Sequence, residues 1–111
     1  MANSELVICL RDETDGPDHR GLWVRLHKDG KLTIEGQDLG PMTAPVSGDG
    51  EYEWVYTYEP AVVPDFLAAL GGSIGEDPAV VLGRYSGARS YDLERISKES
   101  GVPRTLWVYG G

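Results

Sequence analysis

The stretch "EYEWVYTYEP", residues 51–60, decides how the chain is built. Tyr52, Trp54, Tyr56 and Tyr58 recur at every second residue, so an extended backbone points all four rings to one side. The alternate positions, Glu51, Glu53, Val55 and Thr57, offer no second continuous apolar face. Burying a large ring contributes roughly 1.5–3 kcal/mol or more, and monomers avoid a bare patch of several. The stripe is therefore expected in the core or at its edge, with the tyrosine hydroxyls at the rim. A stacking platform for single-stranded nucleic acid would need a basic track beside the rings. The neighbours are Glu51, Glu53 and Glu59, and Coulomb repulsion opposes that reading.

Upstream, the same period of two recurs. In "ELVICLRDE" Leu6, Ile8 and Leu10 alternate with Val7, Cys9 and Arg11. "TDGPDHRG" is a polar turn region. "LWVRLHK" sets Leu22, Val24 and Leu26 against Trp23, Arg25 and His27, and "KLTIEGQ" sets Leu32 and Ile34 against Thr33 and Glu35. Parity fixes the turn between these last two strands. A two-residue Asp29-Gly30 turn would pair His27 with Leu32, apolar against polar along the ladder. A three-residue loop, Lys28-Asp29-Gly30, pairs Leu26 with Leu32 and Val24 with Ile34. It also puts Gly30 where such a loop needs a left-handed residue. The three-residue loop is the one expected. The aperiodic "DLGPMTAPVSGDG" is a long connection, of a length that often carries function.

Downstream of Pro60 the period becomes helical. "PDFLAALGG" opens on Pro64, buries Phe66, Leu67 and Leu70, and stops at Gly71. "EDPAVVLGRYSG" has Asp77 as N-cap, Pro78 behind it, and Val81, Leu82 and Tyr85 inside. "SYDLERISKESG" has Ser90 as N-cap, Leu93 and Ile96 inside, and Gly101 as stop. Such short helices must pack on the sheet to persist. The tail "VPRTLWVYGG" reads as a short strand or an extended segment. Strands first and helices afterwards imply one α+β domain over 1–111. A sheet-forming half (1–58) precedes a helical half (60–101) and an extended C-terminal segment (102–111). The sheet is four-stranded and mainly antiparallel, with a possible fifth C-terminal strand and three short helices on one face.

The chain has 111 residues, a normal size for one domain, and a net charge of −8. Duplex nucleic acid would repel it; a basic protein surface would attract it. A single cysteine, Cys9, excludes an internal disulfide and points to a reducing compartment. No apolar run is long enough to span a membrane, and "MANSEL" lacks the features of a signal peptide. The expectation is a cytoplasmic monomer or small homo-oligomer.

Motifs that name a reaction are missing. Two histidines and one cysteine cannot build an ordinary structural zinc site. Cys9 and His27 share a face, but no third group orients them, so a partly buried, inert Cys9 is expected. Asp12, Glu13, Asp15 and Asp18 beside His19 fail the calcium-loop spacing and read as a solvated turn. No P-loop or dinucleotide fingerprint is present, and nothing selects a carboxylate pair. No cofactor is implied. "ISKESGVPRTLW", residues 96–107, resembles the middle of a helix-turn-helix at Ser97, Gly101, Val102 and Leu106. Gly101 followed by Val-Pro is also ordinary capping grammar, and the acidic total opposes DNA. The runs "LTIEGQDLG", "EYEWVYTYEP" and "VPDFLAALGG" together resemble a group of small uncharacterised bacterial proteins, a resemblance that implies no activity.

With the rings inward, the reverse face of the sheet carries Cys9, Arg11, Trp23, Arg25, His27, Thr33, Glu35, Glu53 and Thr57. Trp and Arg are favoured interface anchors. The leading expectation is an acidic protein-binding module without catalysis, directed at a basic partner. In size, acidity and lack of motifs it resembles bacterial immunity or antitoxin-type inhibitors. The expected contact residues are Trp23, Arg25, His27, Glu35, Asp38 and Glu53, with the 37–50 loop. Two alternatives stand beside it: a small DNA-binding regulator using 96–107, and a small-molecule-binding domain with its site between the long loop and the aromatic strand.

Overall fold

The computed structural model describes residues 5–40 and 51–109. It is an α+β fold in two layers. Five antiparallel strands, β1 (Leu6–Asp15), β2 (Asp18–Leu26), β3 (Leu32–Leu39), β4 (Glu51–Tyr58) and β5 (Thr105–Tyr109), lie side by side in chain order. Three short helices, α1 (Val63–Ala69), α2 (Pro78–Gly83) and α3 (Ser90–Glu99), cover one side. The tail is thus a fifth strand.

Local chemistry explains most joints. The β2–β3 loop is the three-residue one: Leu26 faces Leu32, Val24 faces Ile34, and Gly30 has φ 94°. At the β1–β2 turn Gly16 has φ 60° and Pro17 follows. A left-handed glycine before a proline matches a type II′ hairpin. This tight hairpin lets the ladder run to Asp15 and Asp18, so the polar stretch expected as an open turn region is paired strand. The Asp77 side chain accepts a hydrogen bond from the Ala79 N–H, capping α2 as expected.

The four rings of β4 lie on the helical side. Tyr58 is fully buried, stacked on Phe66 with centroids 4.3 Å apart, and its hydroxyl is 2.6 Å from Ser97 Oγ. Trp54 covers Gly36 on the neighbouring strand and is 8% exposed. Tyr52 and Tyr56 are half-buried at the margin of the core. Leu10, Leu22, Val24, Leu32 and Ile34 from the sheet meet Val63, Phe66, Leu70, Val81, Leu82 and Leu93 from the helices. The rings face the core as expected, but the Tyr58 hydroxyl lies inside against Ser97 rather than at the rim.

Three further expectations need correction. Arg11 is not on the open face. The register slips between Cys9 and Arg11, leaving Leu10 as an extra residue, so Leu10 and Arg11 both turn toward the helices. Arg11 is 3% exposed; its Nε donates to Ser90 Oγ at 2.9 Å, its Nη2 donates to Glu94 at 2.6 Å, and its guanidinium lies 3.6 Å above the Tyr91 ring. Ser90 consequently is not an N-cap: it is the first residue of α3, follows a 3-10 turn at 87–89, and spends its hydroxyl on Arg11. Finally, Cys9 is exposed rather than partly buried, because its strand position faces the uncovered side.

Candidate protein-binding face

Among the described residues, no helix lies on the reverse side of the sheet. Pairing across five strands aligns Cys9, Trp23, Glu35, Val55 and Trp107 in one row. Successive side chains in such a row stand a few ångströms apart, so the row is a continuous strip of surface rather than a scatter of residues. Two indoles flank Val55 and Glu35. Trp23 lies along its own strand over Gly21, where an added Cβ would sit 2.3 Å from the ring. Trp107 is 53% exposed. Between Trp23 and β4 a shallow notch of about 200 Å³ is walled by Glu35, Gln37, Glu53 and Val55.

A polar network holds the neighbouring row. Arg25 Nε donates to Glu35 at 3.1 Å and its Nη1 reaches Glu5 at 3.3 Å. Thr33 Oγ1 donates to Glu35 at 2.9 Å and meets His27 Nε2 at 2.9 Å, while His27 Nδ1 lies 3.4 Å from Glu5. The hydrogen bond and charge of Glu35, then those of Glu5, outweigh desolvation and raise the Arg25 pKa. These groups are solvent-screened, so the network orients side chains and adds little stability. Gln37 Nε2 donates to Glu53 at 3.0 Å, steadying the carboxylate beside the notch.

Of the residues expected at the site, Trp23, Arg25, His27, Glu35 and Glu53 share this face. Asp38 does not: it pairs with Arg20 and Tyr52 in the register of the helical side. Its Oδ1 is buried without a hydrogen-bond partner, and burial raises its pKa against the opposing pull of Arg20 and Arg11. In the expected loop, residues 37–39 end β3, and 41–50 lie outside the described residues. Cys9 and His27 do not meet; the imidazole is engaged by Thr33 and Glu5. Sequence reading missed Trp107, Val55 and Tyr109. The alternation in "TLWVY" signals a strand, but the face follows only from its partner strand.

The helix-turn-helix resemblance fails on topology. Residues 96–99 end α3 and residues 105–109 form β5, so no second helix exists there. On the helical side a groove of about 180 Å³ runs between Tyr52, Trp54, Tyr56, Leu106 and Val108. It is small for an organic ligand, whose sites span roughly 300–1,000 Å³. Among the described residues no group of His, Cys, Asp and Glu could hold a metal ion, and no helix is long and apolar enough to cross a membrane. No protein-family model, curated protein or solved structure matches the chain.

Proposed function

We propose that this chain is a binding module without catalysis, which docks the uncovered face of its sheet onto a basic protein surface. The mode is that of an immunity- or antitoxin-type inhibitor. The observation that carries the reading is the row Trp23–Glu35–Val55–Trp107, two aromatic anchors around an aliphatic and acidic centre on a face that no helix covers among the described residues. Anchors of this kind supply most of the energy in protein interfaces. The net charge of −8 steers a cationic partner toward the molecule. Glu35 and Glu53 beside the anchors give that attraction a local target.

The test is binding of the purified chain to a panel of basic nucleases and other basic proteins at low and high salt. At least one is expected to bind, with association slowed by salt. Trp23→Ala should then weaken binding by at least about 30-fold, the size of a hot-spot loss. The same substitution should leave the melting temperature within about 2 °C of wild type, as for a surface change. Binding that ignores Trp23→Ala and Val55→Asp, or no binding to any basic protein at low salt, contradicts the proposal.

A further inference from the structure

We infer that β5 is a self-pairing edge: two copies of the chain join through Thr105–Tyr109 into one continuous antiparallel ten-stranded sheet. β5 hydrogen-bonds to β4 on one side, and in the strand order it is the last member. Its outer backbone groups form a template for another strand. Protein edges are usually blunted by lysine, proline, a bulge or a covering element. β5 carries no lysine or proline and its register with β4 has no bulge, and among the described residues no helix or strand lies on its outer side. Its five residues are uncharged in a chain where a quarter of residues are charged. Leu106, Trp107, Val108 and Tyr109 are 57%, 53%, 44% and 42% exposed.

The opposite edge is treated differently. α2 and the 3-10 turn at 87–89 pack along β1, which also carries a bulge and the charges of Arg11, Asp12, Glu13 and Asp15. Among the described residues β5 is therefore the less protected edge, and pairing through one edge closes at two copies instead of growing into a filament.

A second copy is the occupant that the strand fits. Antiparallel pairing about a two-fold axis at Trp107 sets Leu106 against the second copy's Val108 on the helical side. Both residues border the groove of Tyr52, Trp54 and Tyr56. On the other side Trp107 meets its own counterpart, and Thr105 meets the second copy's Tyr109. Apolar faces apolar at every central position of the strand, while the carboxylates of Asp38 and Glu94 line the adjoining groove. Each copy has a net charge of −8, and β5 is where two such copies approach with no like charges opposed along the strand. Four half-exposed large side chains per copy give roughly 800–1,000 Å² of buried surface in all, below the standard interface size. The dimer is thus reversible, with a dissociation constant in roughly the micromolar range.

Sedimentation over about 5 to 500 micromolar chain tests this. The mass should rise from 12.1 kDa toward twice that value. Val108→Lys should hold the chain at monomer mass, while Ile74→Lys, at an exposed position in the connection between α1 and α2, should dimerise as wild type does. A crosslinking pair covers the case in which the lysine disturbs the fold. With Cys9→Ser, Trp107→Cys should form a disulfide dimer under mild oxidation, because a residue on the axis faces its own copy at disulfide distance. Ile74→Cys in the same background should not. A monomer throughout the concentration range, dimerisation that survives Val108→Lys, or equal crosslinking at both cysteine positions would overturn the inference.

Discussion

Alanine at Gly36 and alanine at Gly21 should have unequal consequences, because each glycine lies under a tryptophan on a different face of the sheet. At Gly36 the new Cβ would sit 2.1 Å from Trp54 Cε2 and 2.2 Å from Cζ2. Carbon atoms settle at about 3.5–4.0 Å, so the indole must retreat by roughly 1.5 Å. Trp54 is 8% exposed, with Tyr52 beside it at 5.4 Å between ring centroids. Overpacking there costs about 1–3 kcal/mol, and expelling the ring costs about as much in lost burial. Alanine's advantage over glycine in a strand returns about 0.5–1 kcal/mol. A net loss of about 1–2 kcal/mol remains, which lowers the melting temperature by roughly 5–10 °C. At Gly21 the clash is as close, 2.3 Å to Trp23 Cη2. That ring has water beyond it and can swing away, so the net change should stay within about 0.5 kcal/mol. Thermal unfolding followed by far-ultraviolet circular dichroism reads both values. Equal losses, or the larger loss at Gly21, would refute the assignment of the two indoles to a packed and a wet face.

Asp38→Asn is expected to stabilise the fold at neutral pH. The raised pKa means that the folded chain holds this proton more tightly than the unfolded chain does, so stability falls as pH rises through the folded-state value. The gain in melting temperature should be present at pH 7 and vanish near about pH 3, where both states are protonated; a gain of equal size at both pH values would contradict burial as the cause. Glu94→Ala should cost about 1–3 kcal/mol in urea unfolding, since it strands the buried Arg11 cation, although partial exposure of Glu94 tempers the loss. Arg11→Met, which removes the charge and keeps the length, should cost less, and the reverse order would show that Arg11 does not fasten α3 to β1.

Local rules made most of the fold legible. Side-chain parity chose the β2–β3 loop, and proline, aspartate and glycine punctuated α1 and α2, because these signals act over a few residues. The bulge at Leu10 was not legible. It turns Arg11 toward Ser90 and Glu94, some eighty residues away, and nothing near position 10 announces it. The Ser90 cap failed for the same reason. At the candidate site, parity placed Trp23, Arg25, His27, Glu35 and Glu53 together. Asp38 was grouped with them by its nearness to the long loop, although its even position puts it with Ile34 and Gly36 on the helical side. Trp107 was hidden because a strand's face is set by the strand it pairs with, and β5 pairs with a segment half the chain away.

The most direct test of the account labels the three tryptophans with 5-fluorotryptophan and measures fluorine relaxation with a soluble gadolinium chelate, at a chain concentration low enough to suppress self-association. Trp107 and Trp23 should broaden strongly and Trp54 only weakly, which leaves the row through Glu35 and Val55 open to a partner. Strong broadening of Trp54 with protection of Trp23 would mean that the sheet faces the other way, and the proposed docking surface would be the core.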